Sequence, residues 1–153
     1  MVMLFEVATL SALAVAVVIS LLSYPIGLLL FGSGFAGVGA VISIHVWAAV
    51  PAAWRQISGA WLQADTLLWK SLRRSLGGLL ALAALALLLI PTLGAVGAAI
   101  TTVIVQIVMG FGMDWVSPQT RKHGYAKLEA LRFRQTRRRL AVMLKKRRQG
   151  PPR

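Results

Sequence analysis

A few polar side chains interrupt long apolar stretches of the sequence, and four of them are the first candidates for chemistry. They are His45, Thr101, Thr102 and Gln106. Polar groups inside a lipid layer are costly unless they face water or protein, so such residues often mark solute or ion pathways. These four residues are therefore candidate pore-lining residues. The alternative is that they hydrogen-bond a neighbouring helix or, for the threonines, their own backbone.

Catalytic chemistry has little support in the sequence. The chain contains no cysteine, which excludes thiol catalysis and cysteine-ligated metals. We find no carboxylate pair, no spacing typical of metal ligands and no phosphate-binding loop. Gly32-Ser33-Gly34 with His45 resembles only a fragment of a serine-protease site. We therefore predict that the protein is not an enzyme and uses no metal or cofactor.

Composition points to a membrane protein with a basic end. Of the 153 residues, 58% are hydrophobic, and the mean hydropathy is +0.73. A soluble domain of this length could not hide so much apolar surface from water. Residues 1–114 contain four basic and three acidic residues, whereas residues 115–153 contain 13 basic residues and one acidic residue. We predict a membrane domain over 1–114 and a basic cytoplasmic tail over 115–153.

The apolar residues form four segments, which lie at Leu4–Leu30, Ala36–Trp54, Leu76–Ile90 and Ala95–Met113. Turns rich in glycine or proline separate the first segment from the second and the third from the fourth. This pattern predicts an all-α polytopic protein with two helical hairpins, over 4–54 and 75–114. The third segment is short, about 22 Å as a helix. The second hairpin therefore either spans the membrane or is re-entrant.

Residues 55–74 have a different character. Apolar side chains recur there at intervals of three and four, and polar and basic side chains lie on the other face of the helix wheel. The apolar positions are Ile57, Trp61, Ala64, Leu68 and Leu72. This pattern predicts a helix in the plane of the membrane interface. An ordinary linker between spans is the alternative.

The distribution of lysine and arginine predicts the orientation. The two turns inside the hairpins contain neither residue, whereas the loop between the hairpins and the tail are basic. By the positive-inside rule, both termini lie on the cytoplasmic side of the membrane. Aromatic anchors fall at the same boundary, namely Trp54, Trp61, Trp69 and Trp115. Asp114 lies there too, either paired with an arginine or solvated.

The tail is predicted to form a basic helix over 125–149, after an interruption at Gly124. Its candidate binding residues are Arg121, Lys122, Arg132, Arg134, Arg137, Arg138, Arg139, Lys145, Lys146, Arg147 and Arg148. Attraction to anionic lipid headgroups is the favoured role, since each basic residue near such a surface contributes about 1 kcal/mol. Contact with nucleic acid and docking of an acidic cytosolic partner are alternatives. Too few aromatic residues accompany the charges for a base-stacking platform.

The carboxyl half carries several short motifs in order. They are Leu72-Arg73-Arg74, Ile90-Pro91-Thr92-Leu93-Gly94, Asp114-Trp115, Pro118 and Arg121-Lys122-His123-Gly124-Tyr125. From Leu72 onward the chain resembles the carboxyl half of the CysZ-type membrane proteins, a family associated with sulfate uptake. The resemblance implies an oligomeric inner-membrane permease or channel with partly penetrating helices. The chain is much shorter than is usual in that family, and Val116-Ser117 separates the aromatic residue from the proline.

These observations leave three functions open. The first is a small channel or permease for sulfate or another small ion, working as a homo-oligomer or within a membrane complex. The second is a membrane adaptor or scaffold that transports nothing and whose basic tail binds anionic lipid or a cytosolic partner. The third is a protein similar to a phage holin. We favour the first, because four short segments can hardly enclose a hydrated path without further copies.

Overall fold

The computed structural model describes residues 1–35, 37–64, 68–116 and 118–133, and these residues are all-α, as predicted. The helices are α1 (Val2–Phe31), α2 (Val38–His45), α3 (Ala49–Ala64), α4 (Leu68–Gly110) and α5 (Arg121–Ala130). A short 3-10 turn, Val46–Ala48, joins α2 to α3, and another, Gly112–Asp114, follows α4. Three helical stretches are long and apolar enough to cross a membrane, namely Val2–Phe31, Val38–Gln63 and Leu68–Asp114. A multi-pass membrane protein is consistent with these lengths.

The stretch from α2 to α3 returns antiparallel along α1. The turn begins at Gly32, which has a φ of 74°, a value that residues other than glycine rarely adopt. Near the turn the two backbones touch, since a Cβ atom at Gly39 would lie 3.1 Å from the Cα atom of Tyr24. At the other end the indole of Trp54 donates a hydrogen bond of 2.8 Å to the Thr9 hydroxyl. Small residues thus let the backbones meet at one end, and a buried hydrogen bond joins them at the other.

The chain of α4 reverses at Gly94, where φ is 57° and ψ is −134°. The two arms on either side lie against each other, because a Cβ atom at Gly78 would stand 2.7 Å from the sulfur of Met109. Farther from the turn, Arg74 of the first arm forms an ion pair with Asp114. The turn therefore falls within the predicted Pro91–Gly94 segment.

The segment predicted as an interfacial helix is divided between two helices. Residues 55–64 continue α3, and residues 68–74 begin the first arm of α4. Its apolar face packs only in part, since Ile57 lies against the buried apolar cluster and the Trp61 ring contacts the ring of His123. Leu68 and Leu72 of the same face are exposed at the start of α4.

The basic helix also begins elsewhere than predicted. Helix α5 starts at Arg121 and continues through Gly124 to Ala130. Gly124 does not interrupt it, because the Trp115 ring packs on this position, where an added Cβ atom would lie 3.1 Å from the ring. The predicted helix beyond residue 133 lies outside the described residues.

A small apolar cluster is buried within the described part of the chain. Phe5, Trp54, Ala126 and Ala130 form it and join α1, α3 and α5. Large apolar side chains are instead exposed along α1 and α4, with Leu29 at 86% and Leu87 at 79% of their full accessibility. Such contiguous apolar surface requires a lipid or protein environment.

Helices α3 and α4 approach each other most closely at Gly110. A Cβ atom at this glycine would overlap the backbone of Pro51, including its carbonyl oxygen. Backbone cannot move aside as a flexible side chain can, so the contact depends on the missing Cβ. Gly110 is therefore a point where the second hairpin packs directly on the first.

We predict that Gly110→Ala destabilises the protein by about 1–3 kcal/mol, the usual cost of overpacking. Thermal unfolding in detergent, followed by circular dichroism, measures the change. Gly59→Ala is the matched control, because a Cβ atom there meets nothing within 4 Å and alanine favours the helix. A Gly110→Ala protein as stable as the Gly59→Ala protein would show that the two backbones do not touch.

Candidate functional site

A fully buried carboxylate lies where three parts of the chain meet. Asp114 is in the turn after α4 and has no exposed surface. One of its oxygens pairs with Arg74 at 3.1 Å, and the other pairs with Lys127 at 2.5 Å. The cations come from the first arm of α4 and from α5, so a single carboxylate joins both to the end of the second arm. Asp114 is thus paired rather than solvated.

The same two cations bind carbonyl groups at the end of α4. Arg74 donates a hydrogen bond of 2.8 Å to the Met109 carbonyl, and Lys127 donates one of 2.5 Å to the Gly110 carbonyl. The last carbonyls of a helix lack partners within it, and the helix dipole favours positive charge there. The Thr120 hydroxyl donates to the carbonyl of Asp114 at 2.9 Å. The cluster therefore caps the helix and seats the start of α5.

Lys127 is buried as deeply as the carboxylate that it binds. Burial lowers the pKa of Lys127, and the hydrogen bond and negative charge of Asp114 oppose that shift. The ammonium group also lies 5.3 Å from the centre of the Phe5 ring, which faces it with negative π density. Asp114 and the Phe5 ring thus both stabilise the charged form of Lys127.

His123 lies beside this cluster and is also fully buried. Its ring contacts the Trp61 ring in a tilted arrangement, with 4.5 Å between centroids, and meets Phe5 edge-on at 6.3 Å. Neither ring nitrogen has a hydrogen-bond partner in the described part of the chain. Sequence reasoning did not single out this residue. Its spacing of four from Lys127 on one helix face is the signal that could have found it.

Burial lowers the pKa of His123; Asp114 opposes the shift, while Lys127, Lys122 and Arg74 add to it. Since the folded protein takes up this proton less readily than the unfolded chain, His123 reduces stability as the pH falls below its ordinary pKa. The neutral imidazole is thus the form that the folded protein accommodates.

A polar cleft lies between α3 and α4, next to the buried cluster. The Arg55 side chain donates from Nε to the amide oxygen of Gln106 at 3.1 Å. Two cavities of about 240 and 130 Å³ share Arg55, Ser75 and Met109 in their linings. Within the described ranges, Arg55 forms no ion pair. The cleft therefore presents a guanidinium that is paired with no carboxylate of the residues that the structure describes.

The other pore-lining candidates lie apart from this cleft. His45 is exposed at the end of α2. The Thr102 hydroxyl donates to the Ala98 carbonyl of its own helix at 3.0 Å. Thr101 is buried, and its hydroxyl has no partner among the described residues. The structure thus brings Gln106 together with Arg55, which sequence reasoning had placed only in the basic loop.

Three of the four candidate anchor tryptophans make specific contacts at the end of the bundle that carries the ion cluster. Trp54 is buried against Thr9, Trp61 makes a tilted ring contact with His123, and Trp115 packs edge-on against Tyr125 at 5.0 Å. Trp69 is 65% exposed and has the guanidinium of Arg73 5.6 Å from its centre.

The tail candidates are divided by the limit of the described residues. Arg121, Lys122 and Arg132 are exposed on or just after α5. The Lys122 ammonium lies 3.9 Å from the centre of the Trp61 ring, which holds this cation against α3. Arg134, Arg137, Arg138, Arg139, Lys145, Lys146, Arg147 and Arg148 lie outside the described residues.

No family model, curated protein or solved structure matches this chain. The resemblance to the CysZ-type family therefore stays a prediction from the motifs.

We predict that Asp114→Asn lowers the free energy of unfolding by about 3–5 kcal/mol, because it leaves buried cations without their carboxylate. Thermal unfolding in detergent measures the loss. The control is Glu129→Gln, which removes an exposed carboxylate on α5 and should have little effect on stability. Adding Lys127→Met to Asp114→Asn should restore part of the stability. If the double variant is as unstable as the sum of the two single changes, Asp114 and Lys127 do not interact.

Proposed function

We propose that this chain is a small α-helical membrane protein of channel or permease type that conducts small anions and works as an oligomer in a bacterial inner membrane. Sulfate is one candidate, by the resemblance of the carboxyl half to the CysZ-type family. The observation that carries the proposal is the Arg55 cleft, in which a guanidinium and the Gln106 amide line cavities between apolar helices.

A guanidinium without a paired carboxylate is energetically unfavourable in such a cleft unless an anion binds to it. Attraction between unlike charges is stronger where the surroundings are less polar than water. Leu79, Leu82 and Val105 supply apolar lining on the α4 side. An anion entering the cleft would exchange its water for Arg55, Gln106 and Ser75. Ionisable residues that face a cavity within a membrane protein commonly mark such a path.

The arrangement of charge supports an orientation with both termini in the cytoplasm. No lysine, arginine, aspartate or glutamate lies between Glu6 and Arg55, or between Arg74 and Asp114. The packing of Phe5 with Trp54 and the ion pair of Arg74 with Asp114 bring the residues that flank these stretches to one end of the helices. The uncharged turns at Gly32 and Gly94 then face the outside, in accord with the positive-inside rule. We propose that both hairpins insert from the cytoplasmic side and span the membrane.

Oligomer formation follows from the sparse core. One chain has two helical hairpins and leaves large apolar residues of α1 and α4 exposed. A cleft bounded by one pair of helices is open along its side, and a closed hydrated path requires further walls. Copies of the same chain would supply them, since most soluble and membrane assemblies of one chain type are symmetric.

The adaptor is the second candidate, and the exposure of basic residues on α5 favours it. Arg121 and Lys122 face outward, while Ala126 and Ala130 of the same helix pack against Phe5. Because one face of α5 packs on α1, the basic residues on its other face are held at a fixed position. An acidic partner could dock on these residues.

We predict that Arg55→Gln reduces anion flux at least several-fold in proteoliposomes, because it removes the charge that attracts the anion. Uptake of labelled sulfate and of chloride measures the flux. Arg55→Lys should retain more flux than Arg55→Gln, since it keeps the charge. Gln149→Glu is the control for net charge, because it changes the charge of the chain by the same amount in the tail.

Two results would contradict the channel proposal. Wild-type protein that conducts neither anion would favour the adaptor. Full flux through folded Arg55→Gln protein would exclude the cleft as the path. Replacement of Gln106 by leucine tests the same cleft, whereas replacement of exposed His45 by leucine should leave the flux unchanged.

A further inference from the structure

A third cavity, of about 230 Å³, lies at the charged end of the helices and shares Leu62 and Arg74 in its lining with the smaller cavity of the Arg55 cleft. Its lining combines basic and apolar side chains, and consists of Leu62, Lys70, Arg73, Arg74, Met113, Val116 and Thr120. Three cations thus face one space whose remaining walls are largely apolar. Neither the ion cluster nor the Arg55 cleft requires this combination.

The positive charge of this cavity is not neutralised by the protein residues that the structure describes. Arg74 pairs with Asp114, but Asp114 is also paired with Lys127. The ammonium of Lys70 donates to the neutral amide oxygen of Gln119. Arg73 lies beside the Trp69 ring and has no carboxylate within ion-pair distance in the described ranges. Lys70 and Arg73 therefore offer two charges to an outside anion.

The surface next to the cavity suits a hydrocarbon chain. Trp69, Leu72 and Leu76 follow each other at intervals of three and four along α4, and each is exposed. This apolar strip begins beside Arg73 and continues into the apolar part of the hairpin. Val116, in the cavity wall, is also 73% exposed. An inorganic anion would make no use of this apolar surface, whereas a lipid acyl chain would cover it.

We propose that this cavity is a binding site for an anionic phospholipid of the cytoplasmic leaflet. Lys70 and Arg73 hold the headgroup phosphate, and an acyl chain lies along Leu72 and Leu76. Basic pockets between helices on the cytoplasmic side are known to bind anionic headgroups. The cations of the site belong to the start of α4 and not to the basic residues of the tail, although Val116 and Thr120 of the tail form part of its wall. It requires membrane insertion but not anion conduction.

The test is native mass spectrometry of the full-length protein with added phosphatidylglycerol or phosphatidylcholine. We expect phosphatidylglycerol to remain bound at collision energies that remove phosphatidylcholine. The Lys70→Gln/Arg73→Gln variant should lose this preference, with several-fold less bound phosphatidylglycerol. Lys70→Arg/Arg73→Lys keeps both charges and should retain it. Gln135→Glu/Gln149→Glu lowers the net charge equally in the tail and should also retain it.

Three results would overturn the proposal. Equal retention of both lipids by the wild-type protein would show that no anionic headgroup is selected. An equal loss in the Gln135→Glu/Gln149→Glu protein would assign the effect to overall charge. Displacement of phosphatidylglycerol by millimolar inorganic phosphate would show that a free anion is the preferred ligand. If the Lys70→Gln/Arg73→Gln protein does not fold, stronger quenching of Trp69 by brominated phosphatidylglycerol than by brominated phosphatidylcholine, measured against Trp69→Phe, decides the same question.

Discussion

Burial of the Asp114 carboxylate is the constraint on which the rest of the structure depends. A buried carboxylate is tolerated only when it is paired and hydrogen-bonded. Asp114 pairs with two residues that are distant in sequence, Arg74 of α4 and Lys127 of α5. The first pair holds the two arms of α4 together at the end opposite Gly94. The second seats α5, so that Ala126 and Ala130 pack against Phe5 of α1. One side chain thereby links both hairpins and the basic helix.

Away from this cluster, few buried contacts within the described part of the chain stabilise the helices. The helices meet through small residues at Gly39 and Gly110, and they expose leucines that lipid or another copy must cover. Polar groups that remain within such a frame act in a medium of low polarity. Our two proposals rest on this effect, because they assign the guanidinium of Arg55 to a conducted anion and the cations at the start of α4 to a lipid headgroup.

Features governed by local rules could be predicted from the sequence. Long apolar stretches predicted the helices, and the glycine and proline signals predicted turns where Gly32 and Gly94 now adopt positive φ. Features that depend on tertiary packing could not be predicted in this way. Periodicity alone did not separate α3 from α4, and Gly124 lies within a helix because Trp115 packs on it. The pairing of Asp114 with Lys127 and the burial of His123 require knowledge of where α5 lies. The Arg55–Gln106 contact joins residues 51 apart, and nothing in either local pattern indicates it.

Single-cysteine labelling in intact cells tests the arrangement most directly, because the chain has no cysteine of its own. Cysteines at Ser33 and Thr92 lie at the two uncharged turns, and cysteines at Gln63 and Gln119 lie at the charged end. The account predicts that an impermeant maleimide labels the first two in intact cells and labels the other two only after permeabilisation. Labelling of Gln119→Cys from outside, or equal labelling of both turns and both charged-end positions, would contradict it.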